Sequence, residues 1–396
     1  LSLSTQPTWV KQQSEDERLS FHPLVINEDM SFFGWKGIAL MSNLRAALIT
    51  PLSGSLALFG HASAEGLTLW SKYAAQLPPP WSSVTLEVHN STPDPAAAMR
   101  TVLASQPDII FGPYGSHPML TAMRVADRVV WNHGGATSQL CQSTFPLVIN
   151  VLSPATTYFT GVLQAVRAVD ASATRVTIFH TSTSFGKDVA IGAICAAAEL
   201  HFESQVISFS PSHIQNEEIF LPPADVLLVA GSFADELAIA PLVLRLPWRA
   251  TAFIGAGVDQ VLATLGELRE GLLGPTQWMP NATLEPDEGP TADWFVTKYR
   301  HMTGEDASYP ATQAFAAGLL CARCLRDCGI CEDTKQLATA HQLACRTLYG
   351  DFRIDPDNGL QIGHQVLTVQ WQQGQRRVVW PPAQAERPLD YPLGIL

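Results

Sequence analysis

Charged side chains are scarce in this sequence. They make up 15% of the 396 residues, against about 25% in an ordinary folded chain, and the shortfall is greatest among the cations, which leaves a net charge of −12. Too few Lys and Arg to track a phosphate backbone exclude nucleic acid as the expected partner. Hydrophobic residues at 46% argue against disorder. Long apolar runs are missing too. The longest uncharged stretches, Ala46–Ala64 and Ala307–Ala322, are broken by Pro51 and Pro310 with Gly, Ser or Gln, and neither reads as a membrane span of about 20 residues. The first residues, Leu1-Ser-Leu-Ser-Thr-Gln-Pro7, carry no basic segment followed by an apolar one, so no signal peptide is expected in the chain as given. That leaves either a processed exported protein or a cytoplasmic one.

Several catalytic signatures are also absent. The loop Thr50-Pro-Leu-Ser53-Gly-Ser55-Leu-Ala-Leu-Phe59-Gly60 lacks both the Gly-x-Gly-x-x-Gly pattern and a Gly-Lys-Ser/Thr ending, so no nucleotide cradle is expected. Neither a Gly-x-Ser-x-Gly elbow nor a His-Glu-x-x-His helix occurs, and His117 and His133 alone are weak grounds for catalysis. The chain is therefore expected not to be an enzyme, and no cofactor is expected.

What is present is alternation. From Arg45, short apolar runs (Ala46–Ile49, Val84–Val88, Ile109–Phe111, Val129–Trp131, Val176–Phe179, Val226–Ala230 and Ala252–Ile254) alternate with amphipathic segments (62–74, 95–104, 119–128, 158–169, 186–200 and 234–246). Such spacing predicts α/β units with parallel sheets. Toward the end, Phe352–Ile354, Gly363–Gln370 and Arg376–Val379 read as antiparallel strands joined by turns at Asp355–Gly359 and Gln372–Gln375. At this length two lobes are expected. Residues 1–44 read as an appended arm.

Ligands of open α/β sheets bind at the carboxyl ends of strands, so the loops there are the candidate sites. Ser53 and Ser55 offer hydroxyls at a helix entry. In Phe111-Gly-Pro-Tyr114-Gly-Ser116-His-Pro118, Ser116 stands at a helix start, where backbone amides favour an anion. One unit later, Trp131-Asn-His-Gly-Gly135-Ala136-Thr137-Ser138 permits close backbone approach and adds the Thr137 hydroxyl. The two loops form either a ledge for a carboxylate or simply a helix cap and a tight turn.

Cys321-x-x-Cys324-x-x-x-Cys328-x-x-Cys331 is too long on a helix to surround one zinc. Buried small residues on one helix face are expected there. Gly329 should end that helix, and Asp333 or Thr334 should start another running through Leu348. A disulfide among Cys328, Cys331 and Cys345 stays open, as does the compartment, because seven cysteines cannot all pair. Asp355-Pro-Asp357-Asn-Gly359 lacks the sixth-position Gly and the twelfth-position Glu of a calcium loop, so a turn is expected.

Ser53-Gly through Phe59-Gly60, Gly112-Pro-Tyr-Gly-Ser116, Gly134-Gly-Ala-Thr137, Ser184-Phe-Gly-Lys-Asp188 and Gly363–Trp371 together resemble the type I periplasmic binding proteins. Within them the chain looks like the branched-chain amino acid receptors of ABC transporters and the related amide-sensing regulators, over residues 45 to 385. The resemblance implies two doubly wound α/β lobes with central parallel sheets joined by a three-segment hinge. Residues 45–153 and 282–350 would form the first lobe, 154–281 and 351–385 the second, and 386–396 a tail. It implies that Ser116 and Thr137 hold a ligand carboxylate, that the Gly135 carbonyl takes an ammonium, and that Phe59 and Phe185 line the cleft from opposite lobes. Where the family places an acid to complete the ammonium site, this chain has Gly257, so Asp259 or Asp235 would substitute, or the ligand is not an α-amino acid. Ser55, Tyr114, Ala136 and Ser232 complete the expected ligand-binding set. The implied function is a receptor that traps a small carboxylate- or amide-bearing molecule, amino acid or related, and delivers it to a permease at the periplasmic or extracellular face of a membrane. The alternative is a cytoplasmic small-molecule sensor.

Overall fold

Alternating burial along strand β1 (Ser42–Thr50) sets the layering: Leu44, Ala46 and Leu48 pack into one apolar cluster, Ala47 and Ile49 into another on the opposite face. A computed structural model describes residues 42–73, 75–210 and 221–392. The greater part of the expected arm, residues 1–41, lies outside the described residues, as do Ala74 and residues 393–396. Strand β1 lies between β2 (Trp81–Asn90) and β3 (Ile109–Phe111), and β4 (Val130–Asn132) and β5 (Val148–Asn150) extend an all-parallel sheet in the order β2-β1-β3-β4-β5. Helix α1 (Ala57–Tyr73) covers one face; α2 (Pro95–Ser105) and α3 (Ser116–Met123) cover the other.

The second sheet joins β6 (Arg175–Thr181), β7 (Glu203–Phe209), β8 (Val226–Ala230), β9 (Ala250–Phe253) and β10 (Leu273–Thr276) in parallel. Helices α4 (Thr160–Val169) and α5 (Ser184–Glu199) pack on one face and α6 (Phe233–Val243) on the other. Between β10 and the last strands the chain returns to the first sheet as α7 (Ala292–Thr303), α8 (Tyr309–Cys328), α9 (Asp333–Gln342) and the small ladder β11 (Cys345–Thr347) with β12 (Gly350–Phe352). The hairpin of β13 (Leu367–Gln372) and β14 (Gln375–Trp380) then adds antiparallel to β10. Its two-residue turn holds Gln373 and Gly374 at φ 56° and 73°, the left-handed pair that a tight hairpin requires. The chain thus crosses between the sheets three times, after β5, after β10 and after β12. Among the described residues no helix is long and apolar enough to cross a membrane.

Some expectations need correction. Phe352 belongs to β12, and Ile354 makes only an isolated bridge to Gln361, because the Asp355–Gly359 turn is tied to the first lobe: Asn150 donates to the Gly359 carbonyl at 2.9 Å. Helix α8 does end at Gly329, whose φ is 73°, but α9 stops at Gln342 because Cys345–Thr347 pair as a strand with β12. All seven cysteines are free, which removes the disulfide; Cys321, Cys324 and Cys345 are buried in the first-lobe core. Part of the expected tail is anchored, with Tyr391 donating to Asp170 at 2.6 Å and Asp390 N–H to Gln370 at 2.8 Å.

Helices α1 and α8 approach closely because their contact is built from small residues. A Cβ on Gly66 would stand 2.1 Å from the Ala311 carbonyl oxygen, and one on Gly318 would stand 2.3 Å from the Trp70 ring. Gly66→Ala should therefore destabilise the chain by about 1–3 kcal/mol, the usual cost of overpacking. Urea denaturation checks this; an unchanged midpoint would show that the two helices part freely.

Candidate ligand cleft

The loops leaving the carboxyl ends of the two sheets face one another, and aromatic rings meet where they do. Phe59, in the first turn of α1, stacks on Tyr114 from the loop after β3, with centroids 5.0 Å apart and planes 6° from parallel. From the other lobe Phe233, opening α6, comes within 5.2 Å of Phe59, and Val258, just past β9, joins the same cluster. Tyr309, at the start of α8, lies 6.3 Å from Phe59, and its hydroxyl pairs with that of Tyr114 at 2.5 Å. Phe59 is 2% exposed. Burial holds both phenols in the protonated state, with Tyr309 pushed up to about 12.

The second cross-lobe contact is polar. Thr137 Oγ1 donates to Oδ2 of Asp188, a residue of α5 in the second lobe. Ser138 N–H donates to the same oxygen at 2.9 Å, and Ser138 Oγ donates to Oδ1 at 2.9 Å. The donors expected to hold a ligand carboxylate thus face a carboxylate of the chain itself. Asp188 falls inside one of the sequence motifs, but nothing in the sequence brings it to a loop 50 residues away in the other lobe.

The remaining expected residues separate into those near this seam and those with other tasks. Ser116 is buried at the start of α3, behind Gly115. The Gly135 carbonyl accepts from Asn132 Nδ2 at 2.8 Å inside its own loop, and the Ala136 carbonyl accepts from Ala155 N–H at 2.7 Å, a backbone connection of the first hinge segment. Phe185 packs edge-on against Tyr158 at 5.8 Å. Ser55 is exposed in the turn before α1. Ser232 and Asp235 form a reciprocal cap on α6, which occupies both side chains. Gly257 is glycine for packing: a Cβ there would stand 1.8 Å from the Pro275 carbonyl oxygen. Asp259 is 56% exposed and forms a two-pronged pair with Arg376, at 2.7 and 2.9 Å. Neither acid that was expected to substitute at the ammonium site is unpaired. His117 is exposed, while His133 is fully buried and kept neutral by burial, its pKa lowered to about 4.

Three polar groups that the sequence did not single out shape the seam. Gln277, on the second crossing, donates to Tyr158 at 2.5 Å and accepts from Tyr349. Tyr349 in turn accepts from Gln313 of α8 at 2.9 Å. Glu236, fully buried in the first turn of α6, accepts from the N–H groups of Ile254 at 3.1 Å and Gly255 at 2.7 Å, fixing the loop that carries Val258. Beside the aromatic cluster opens a cavity of about 310 Å³ lined by Phe59, Ala62, Val258 and Tyr299 together with the acids Glu65, Glu305 and Asp306. Among the described residues, no group of three or more His, Cys, Asp or Glu side chains is placed to hold a metal ion.

Two doubly wound lobes, three crossings and a seam at the strand ends define an architecture known from solved structures. The chain has the type I periplasmic binding protein fold. A leucine-binding protein from Thermotoga maritima superposes with a TM-score of 0.70 at 18% identity, over 85% of this chain and 97% of that one. An ABC transporter substrate-binding protein from Sphaerobacter thermophilus gives 0.70 at 16% identity, over 85% and 96%. A solute-binding protein from Rhodopseudomonas palustris BisB5, in complex with 3,4-dihydroxybenzoic acid, gives 0.69 at 14%, over 84% and 95%. No protein-family model matches the sequence.

Burial pushes the Glu236 carboxyl up to about 8, so folding favours its protonated form. A raised folded-state value means that this contribution is complete below the ordinary carboxylate range and is lost as pH rises through about 8. Between pH 6 and 9 the urea midpoint should fall for the native chain and fall less for Glu236→Gln, which has no proton to lose. Parallel pH profiles for the two proteins would contradict this.

Proposed function

We propose that this chain is a non-enzymatic ligand receptor that traps a small carboxylate- or amide-bearing molecule, amino acid-like or aromatic, between its lobes. Its closed form docks on the permease of an ABC transporter at the outer face of the cytoplasmic membrane. The supporting observation is the seam itself: the rings of Phe59 and Tyr114 from one lobe meet Phe233 and Val258 from the other. Such a surface takes an apolar body, and closing on it shifts an open-to-closed equilibrium instead of lowering a chemical barrier. Solved proteins of this fold bind leucine, benzoate and 4-hydroxybenzoate, ligands that carry a carboxylate on an apolar body. The residues assigned to contact are Phe59, Tyr114, Ser116 and Phe185, with the Thr137 hydroxyl engaged by Asp188.

A second reading, a cytoplasmic sensor of the amide-sensing type, is favoured by the thiols. Seven cysteines are free, Cys195 on the surface among them, which suits a reducing compartment. Osmotic-shock fractionation of the native host separates the two: release with the periplasmic fraction supports the receptor, retention in the cytosol the sensor.

Native mass spectrometry of freshly purified protein should reveal a retained small molecule. Calorimetry with branched-chain and aromatic amino acids, aromatic carboxylates and short amides should find a binder, and binding of sugars or polyamines alone would defeat the proposal. Phe59→Ala should weaken that binder at least tenfold, about 1.4 kcal/mol, with an unchanged circular dichroism spectrum.

A further inference from the structure

Asp188 is 5% exposed and belongs to α5, yet its three described hydrogen-bond donors all come from the opposite lobe. Both carboxylate oxygens are engaged, by the Thr137 hydroxyl and by the hydroxyl and backbone N–H of Ser138. Among the described residues no Lys, Arg or His forms an ion pair with it. A nearly buried anion without a cation depends on its donors, so separating the lobes exchanges all three for water. Two hydroxyls and an amide around one carboxylate also make the surroundings that a carboxylate ligand would need. We infer that Asp188 is an internal occupant of the Thr137–Ser138 ledge, which latches the lobes without a ligand, repels free carboxylates and selects ligands with a neutral, N–H-donating amide head. This rests on the receptor reading above and narrows it. The aromatic seam takes the apolar body of the ligand, while the anion on the ledge turns carboxylates away by charge and offers its remaining lone pairs to an amide N–H.

The test uses the full chain, with benzamide and benzoate as probes, in the native form and as Asp188→Ala and Asp188→Asn. The native protein should prefer benzamide to benzoate. Asp188→Ala, with the ledge vacated, should bind benzoate at least tenfold more tightly than the native protein does. Its ligand-free radius of gyration in small-angle X-ray scattering should also increase. Asp188→Asn keeps size and one oxygen to accept from Thr137 and the Ser138 N–H, with the Ser138 hydroxyl turned to accept from the amide nitrogen, while removing the charge; it should lose the discrimination and stay compact, which preserves the comparison if the alanine variant folds poorly. Benzoate affinity in the native chain equal to that of both variants would overturn the selectivity. An unchanged radius in a folded Asp188→Ala would overturn the latch. If no form binds either probe and native mass spectrometry finds no ligand, the receptor reading fails separately, and the scattering comparison alone decides whether Asp188 holds the lobes together.

Discussion

A carboxylate withdrawn from water has to find donors, and Asp188 finds its described ones on the far side of the seam. That requirement couples two sheets that otherwise have separate cores. Across the same seam, Phe59, Tyr114, Phe233 and Val258 form an apolar cluster. Gln277, on the second crossing, also joins Tyr158 after the first to Tyr349 before the third. The polar latch sets register; the rings supply area removed from water.

Scarce charge is placed with the same economy. Glu288, nearly buried, is held by Arg323 and Arg326 on successive turns of α8, at 3.3 and 2.6 Å. Asp333 at the start of α9 takes Arg128 at 2.7 Å, and Arg376 of β14 fixes Asp259 beyond β9. Each pair ties a loop to an element distant in sequence. In a chain with few charges, these pairs serve as fasteners.

Much of this was legible in the sequence. Runs such as Ile109–Phe111 and Val226–Ala230 were clear because both faces of those strands are covered and every position is apolar. Strand β7 was missed since Glu203–Phe209 lies at a sheet edge with most positions exposed or partly exposed, and β10 because Leu-Gly-Pro-Thr has no strand-like composition. Helix α7 escaped because its polar face dominates and few of its residues are fully buried. At the seam, Tyr114 and Thr137 were singled out by their position after strands, and Phe59 by the family resemblance. Phe233, Tyr309 and Asp188 were not, because their importance comes from contacts between lobes that local spacing does not encode. Gly257 was noticed as a departure, and only the nearness of the Pro275 carbonyl explains it.

The packing of α1 against α8 also has a temporal side. The two helices lie more than 230 residues apart in the chain, so a nascent polypeptide exposes the apolar face of α1 until the segment past residue 328 has left the ribosome. At a translation rate of about 5–20 residues per second, that face waits for tens of seconds at the slower end. The stretch from α4 to β10 is nearly continuous in sequence and can assemble meanwhile. The lobe that begins first in the gene is therefore completed late in synthesis, and molecular chaperones have longest access to the surface around Leu67 and Trp70.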